Sequence, residues 1–407
     1  MKETRFKDTE VGKIPEEWNT VNIYNICSIK ARIGWQGLKS DEYLDSGEYI
    51  LVTGSDFKNG YVDWETCHYV TGWRYNQDKN IQIKKGDVLI TKDGTIGKVA
   101  YLDNIPMNGT LNSGVFVIRP NADSVNQEYL SWLFKSIWFT TFIDQLSAGS
   151  TINHLYQKDF VKFKLVIPQN ILEQTRIASA LTSVDNLLTS LGKLIEKRRA
   201  VKQGAMQMLL TGKKRLKGFD GPWVDMQLKN GLKFQCGAPF QSEWFNDDRI
   251  GIRLIKNRDL KSEDQLYYYN GNYSDEYIVK NGDLLIGMDG DFLPCLWEKG
   301  LALLNQRVGR IQTNIWDIKF LYYILFNPLK QKQEGTGATT VKHLAHGDVE
   351  SMIVYMPTDV KEQSAIASVL TSMDNEITAL EAKKKKYEAI KQGMMQQLLT
   401  GRIRLVD

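Results

Sequence analysis

The sequence predicts an α+β protein of two similar globular α/β halves, each closed by the same long helix, so that the whole forms a pseudo-twofold internal repeat. Three observations predict it. Glu173 to Leu216 and Glu362 to Leu405 align without a gap at an offset of 189 residues, and by direct count about 25 of the 44 positions are identical. Within both segments apolar residues step by four and three in alternation. Ahead of each segment lie short strand-like runs broken by Gly and Asp turns, in the same order in both halves. Self-similarity at a fixed offset points to a repeat architecture, and two copies at so long an offset exclude a solenoid.

The first half opens on Ile14-Pro15-Glu16-Glu17-Trp18, a turn into a short apolar stretch. A strand at Tyr49–Val52 ends in the polar turn Thr53–Asp56. Lys85 to Gly94 followed by Ile96 to Tyr101 reads as strand, Asp-Gly turn, strand, which is a hairpin. Leu111–Gly114 leads into a strand at Val115–Ile118, and Tyr129 to Ile143 reads as one helix covering the sheet. A polar loop at Ala148–Leu155 and a last strand, Phe163–Ile167, stop at Pro168. The second half repeats this order: Phe219–Trp223 for the opening turn, Arg253–Leu260 for strand and loop, Asn281–Gly290 for the hairpin. Leu304–Val308 and a covering helix at Phe320–Phe326 follow, and the last strand stops at Pro357. The boundaries this sets are 1–168 and 213–357 for the globular domains, with 169–212 and 358–407 for the helical segments.

Ile177, Leu181, Val184, Leu188, Leu191 and Ile195 form one apolar seam; Ile366, Leu370, Met373, Ile377 and Leu380 form the other. A seam recurring every 3.5 residues on average is buried by another helix. The two seams most simply pair with each other; docking of each on its own globular half is the other arrangement. Arg198 and Lys202 interrupt one seam, Lys384 and Lys391 the other. Both helices close on Leu-Leu-Thr-Gly, at Leu209–Gly212 and Leu398–Gly401, where glycine can take the left-handed conformation that ends a helix. About 40 residues at 1.5 Å each make roughly 60 Å of helix.

Composition bounds the function. The 407 residues hold 42% apolar side chains, enough for real cores, and a net charge of +4 that permits nucleic-acid binding without requiring it. Cys27, Cys67, Cys236 and Cys295 lie far apart, with neither disulfide-framework nor zinc spacing. The segment MKETRFKDTEVGK lacks the apolar stretch of a signal peptide, and Leu130–Ile143 falls short of a membrane span, so a cytoplasmic location is expected. No catalytic constellation emerges. Gly94-Thr95-Ile96-Gly97-Lys98 has too few residues between its glycines for a phosphate-binding loop. Asn327-Pro328-Leu329-Lys330 lacks the second Pro and the aromatic of an amino-methyltransferase loop. His68, His154, His343 and His346 show no metal-ligand pattern, and His154 and His343, aligned across the repeat, read as structural. No metal site is expected.

The helices are near copies while the loops of the globular halves differ in almost every polar side chain. With the opening segment Phe6–Trp18, the Gly-Asp hairpins, the strand ending in Pro168 or Pro357 and the duplicated helix ending in Leu-Leu-Thr-Gly, the whole chain resembles the specificity subunit of type I restriction-modification enzymes. The resemblance implies two target recognition domains, each reading one half of an asymmetric, bipartite sequence in double-stranded DNA. It implies that the helices form an antiparallel coiled coil that spaces the half-sites, so that a four-residue insertion near Gly192 would add about 6 Å of spacer. Two methyltransferase subunits are implied to dock on the helices, with motor-nuclease restriction subunits joining the complex. The chain itself would be no enzyme: S-adenosylmethionine, ATP and Mg would sit on partner subunits.

Base reading needs side chains that reach groove edges: Arg or Lys for guanine, Asn or Gln for adenine, Ser or Thr more permissively. The turn-flanked loops supply candidates. In the first half these are Ser55, Lys92, Asp93, Thr95, Asn112, Ser113, Ser150 and Thr151. In the second they are Lys256, Asn257, Arg258, Asp289, Asp291, Gln306, Arg307, Thr339 and Lys342. Each competes with the plainer reading as a solvated loop residue or a phosphate contact. The basic runs Lys197–Arg199, Lys213–Arg215 and Lys383–Lys386 read first as solvated helix faces. A two-headed adaptor for protein or RNA partners, and heads with an unrecognised nuclease activity, remain the readings from other classes.

Overall fold

The computed structural model describes residues 4–121, 125–147, 154–335 and 342–406. It divides into two compact units, residues 1–192 with 383–407 and residues 193–382. Each unit holds one globular head and a part of both long helices, Ile171–Leu209 and Val360–Leu398.

In the first unit a four-stranded antiparallel sheet runs in the order Val99–Tyr101, Val88–Thr91, Val115–Pro120, Cys27–Ala31. Both of its faces are buried, which is why Val88–Ile90 reads as an unbroken apolar run. Val88 and Ile90 point into the core that holds Trp18, Trp132, Phe160 and the helix residues Ile177 and Leu181. Leu89, Val115 and Val117 point the other way, against a three-stranded sheet of Gly109–Leu111, Tyr49–Val52 and His68–Val70. The period-2 alternation of a strand divides these residues between two cores. The helix expected over Tyr129–Ile143 is two helices, Gln127–Leu133 and Ile137–Ser147. The break falls at Ser136, whose hydroxyl donates to the Leu133 carbonyl at 2.6 Å.

The second unit repeats the plan. Its four-stranded sheet runs Leu232–Cys236, Val308–Thr313, Leu284–Gly287, Pro294–Leu296, with Leu284 and Ile286 in one core and Leu285 in another. The second sheet here has five strands: Phe245–Asn246, Tyr267–Tyr269, Ile252–Ile255, Ala302–Leu304, Ile278–Val279. The covering helix expected at Phe320–Phe326 spans Ile318–Ile324 and is followed by a second, Phe326–Gly335.

The Gly-Asp pair that opens each hairpin has a common cause. Asp87 Oδ2 accepts from the Lys84 amide at 2.7 Å and Asp283 Oδ2 from the Lys280 amide at 2.9 Å, closing the same turn. Both then hold an arginine of the neighbouring strand: Arg119 grips the Asp87 carboxylate with two bonds of 2.6 Å, and Arg310 lies 3.2 Å from Asp283. Asp87 is buried, so Asp87→Ala is expected to cost about 1.5–3 kcal/mol by stripping charged hydrogen bonds, read as a lower midpoint in urea unfolding.

The paired helices run antiparallel in each unit, as their ion pairs show. In the first unit Glu173 meets Arg404 and Asp185 meets Lys391; in the second Glu362 meets Arg215 and Asp374 meets Lys202. These are the same two pairs, each moved by the repeat offset. Lys202 and Lys391, which interrupt the seams, are therefore the basic halves of interhelical pairs. Arg198 and Arg199 reach Glu376 at 2.9 Å and Glu381 at 2.5 Å while staying exposed, in keeping with the reading of that run as a solvated face. The first seam positions, Ile177 and Leu181 or Ile366 and Leu370, are fully buried in the core of their own unit together with the end of the other helix, Leu398 and Leu399 or Leu209. Docking of each seam on its own globular half holds at these first positions, where the element across the core is the end of the other helix and not its seam.

The helix ends and starts close on one another. Gly212 and Gly401 take φ of +68° and +69°. Both positions need glycine for conformation, and Gly401 for space as well, since a Cβ there would sit 2.3 Å from Pro15. The Glu-Gln pair that starts each helix is buried. Gln174 receives the Asn126 amide at 2.9 Å and donates to the Pro168 carbonyl at 2.9 Å; Gln363 does the same with Asp317 at 3.0 Å and Pro357 at 2.9 Å. Each glutamine ties the covering helix and the last strand to the start of the long helix.

Candidate nucleic-acid interface

Strand pairing gathers the candidate loops of each head onto one rim. In the first head the Lys92 amide donates to the Gly114 carbonyl at 2.9 Å and the Lys92 carbonyl accepts from the Leu155 amide at 2.7 Å. The Asn112 amide donates to Val52 at 3.0 Å, which brings in the Thr53–Asp56 turn. His154 Nδ1 is bonded to the Asp93 carboxylate. In the second head Met288 takes the place of Lys92: its amide donates to Arg307 at 3.0 Å and its carbonyl accepts from Leu344 at 2.8 Å. His343 Nδ1 lies 2.8 Å from Asp289, and the Gly290 amide donates to the Lys342 carbonyl at 2.9 Å. In both heads the aligned histidine is bonded to the aspartate of an Asp-Gly turn.

The first-strand loops are built alike. The Asp56 carboxylate accepts from the Thr53 amide at 2.7 Å, and that of Asp259 from the Lys256 amide at 2.8 Å. Both aspartates are buried and hold the turn, with Ser55 and Arg258 exposed within it. Neither was among the candidates; the signal was an Asp four residues after the strand's end in both halves.

On this mount the side chains differ. Ser55, Asp93 and Thr95 are exposed in the first head, with Asn112 and Ser113 half-buried. The Asn112 carbonyl oxygen accepts from the Gly114 amide at 3.0 Å, so this amide shapes its own loop. Lys92 lies over the Phe116 ring at 5.4 Å, and burial holds its ammonium below the ordinary lysine range. In the second head Gln306 and Arg307 are exposed, Arg307 reaching Asp289 at 3.3 Å. Arg258 and Lys256 stack on Tyr267 at 5.2 and 3.2 Å. Asn257 turns inward, donating to the Asp289 carbonyl, and Gly287 leaves the space it fills. Asp291 pairs with Lys261 and accepts from Gln333 at 2.7 Å. Ser150, Thr151 and Thr339 lie outside the described residues.

A cleft of about 950 Å³ in the second unit runs from this rim to the long helix, lined by Arg258, Asp289 and Asp291 on one side and by Tyr323, Thr371 and Asp374 on the other. Tyr323 donates to Asp374 at 2.6 Å, and burial, with that bond, pushes its hydroxyl above the ordinary tyrosine range. Among the described residues no group of three His, Cys, Asp or Glu side chains could hold a metal ion, and no helix is long and apolar enough to cross a membrane.

Two heads on one plan, each with its own rim and a share of an antiparallel helix pair, define a duplicated recognition protein. The family model for the type I restriction modification DNA specificity domain matches residues 15–198 and again 220–392. The chain belongs to that family, with one specificity domain in each half. Among its relatives is the type I restriction enzyme MjaVIII specificity subunit of Methanocaldococcus jannaschii, 24% identical over 99% of this chain and 97% of its own length. The EcoBI specificity subunit of Escherichia coli is 30% identical over 46% of this chain and 40% of its own. The crystal structure of a type I restriction-modification S subunit from M. genitalium shares the fold, with a TM-score of 0.64 at 14% identity over 94% of this chain and 96% of that one.

Proposed function

We propose that each rim reads one half of a bipartite, asymmetric DNA target, and that the helix pair fixes the distance between the halves. The observation that supports this is the identical mounting of two rims whose outward side chains differ. Identical mounting presents each rim to its ligand in the same way, and different side chains ask for different sequences. Arg258 and Arg307 are the side chains most suited to guanine edges, Gln306 to adenine, and Ser55 and Thr95 to more permissive contacts. Lys92, Lys256 and Lys342 suit phosphates, which position without specifying.

The chain contributes no chemistry of its own on this reading. Methyltransferase subunits, bringing S-adenosylmethionine, dock on the paired helices and modify adenines beside each half-site, and restriction subunits bring ATP and Mg. Arg307→Ala is expected to cost about 1–3 kcal/mol of binding to the target duplex, and to relax one position of one half-site. Fluorescence anisotropy across a salt series would show it. A two-headed protein adaptor, by contrast, would show no duplex preference and no linear fall of log affinity with log salt.

A further inference from the structure

The second head carries a pocket that its rim does not use. The segment that leads from Ala238 to Trp244, just ahead of the edge strand Phe245–Asn246, and the turn after Tyr269 enclose a hollow of about 480 Å³. In the first head the matching place is held by Leu44, bridged to Tyr69, and the residue two before it, where the second head has Trp244, is Glu42, paired with Arg74.

Its walls are rings. Phe240 and Tyr269 lie 4.9 Å apart at 59°, and Phe240 and Tyr277 6.3 Å apart at 84°. Trp244 and Tyr273 complete the wall, and both are more than two-fifths exposed, large aromatic faces left in water beside a buried ring, Tyr269. Gly271 is what allows the enclosure. A Cβ there would stand 2.5 Å from the Tyr269 hydroxyl and 3.0 Å from the Trp244 ring.

The polar lining is neutral: the amides of Gln241, Asn270 and Asn272 and the hydroxyl of Ser274, with no charged side chain. A phosphate would want a cation there, and an ammonium group would want a carboxylate. A flat, neutral guest with donors and acceptors on its edge fits both the rings and the amides, and a nucleobase is that guest. The location agrees, because the Gln306 amide of the rim donates to the Ala238 carbonyl of the pocket wall at 3.0 Å.

We infer that this pocket receives one unpaired base, drawn out of the duplex beside the half-site of the second head. The inference rests on the DNA-reading function proposed above. Bound there, the base stacks on Trp244 and Tyr273 and offers its edge to the amides, and the first head has no matching step. The step is non-covalent; its cost is the unpairing and unstacking of one base, which a mismatch already meets in part.

The test uses the full chain and target duplexes that carry one mismatch at a time, with affinity read by anisotropy. One mismatch at the second half-site is expected to tighten binding about five- to tenfold, because that base no longer has to be unpaired. Trp244→Ala and Tyr273→Ala should abolish the gain, Trp244→Phe should keep it, and mismatches in the first half-site should only weaken binding. If the wild type binds its target and no mismatch tightens it, or the gain survives in both alanine variants, the pocket assignment is wrong while DNA reading stands. If the wild type shows no preference for the duplex, both readings fall together.

Discussion

Arg404→Met is expected to destabilise the protein by about 3–5 kcal/mol, because it leaves a buried carboxylate without its cation. Glu173 is 1% exposed, and Arg404, itself 10% exposed, reaches it through Nε and through a second nitrogen at 2.7 Å. Arg404 also lies 2.9 Å from Glu17 and 5.8 Å from the Trp18 ring, so one side chain joins the segment after the second helix, the start of the first and the head's opening turn. Glu173→Gln, which keeps a hydrogen-bond acceptor and removes the buried charge, should cost only about 1 kcal/mol. The double variant Glu173→Met, Arg404→Met should be more stable than Arg404→Met alone, since a buried pair replaced on both sides by apolar groups leaves no orphan. Denaturant unfolding of the wild type, Glu173→Met, Arg404→Met and the double variant measures this as a coupling energy. Additive losses would mean that the pair is not the latch described here.

A four-residue insertion after Gly192, matched by another after Glu381, is expected to lengthen the spacer of the target and leave both half-sites unchanged. Four residues add about 6 Å, close to one helical turn, which is roughly two steps of about 3.4 Å along a DNA strand. The match is needed because the second helix answers the first on either side of the insertion. Asp185 meets Lys391 before it and Lys202 meets Asp374 after it, and a single insertion would put one of these pairs out of register. Mapping methylated adenines in cells that express the lengthened chain would show a spacer longer by about two base pairs. The same half-sites at the old spacing would contradict the ruler.

The repeat and the seams were legible because they are local patterns, written in spacing along one helix. The role of Lys202 and Lys391 was not, since each lysine's acid stands on the other helix, far away in sequence. The Gly-Asp hairpins were visible as turns, but the reason for their aspartates was hidden in a strand not yet paired, where Arg119 and Arg310 lie. Most of the rim was nominated from composition alone, and strand pairing then brought the loops together. What composition could not show was orientation: Asn257 looks as free as Arg258 in the sequence, yet it turns inward against Asp289. The aromatic pocket escaped notice because Phe240, Trp244 and Tyr273 become neighbours only through the edge strand and the turn at Gly271.

On the proposed reading, two differently dressed rims read two halves of one site at a distance fixed by the helices. Single-molecule sequencing of adenine methylation tests it most directly, in cells that express this chain with modification subunits, beside cells in which Arg258 and Arg307 are replaced by alanine. The expected result is one asymmetric target with an unread middle, in which the variant loses or relaxes one half-site and keeps the other half and the spacer. A continuous target, or a variant that changes both halves together, would contradict it.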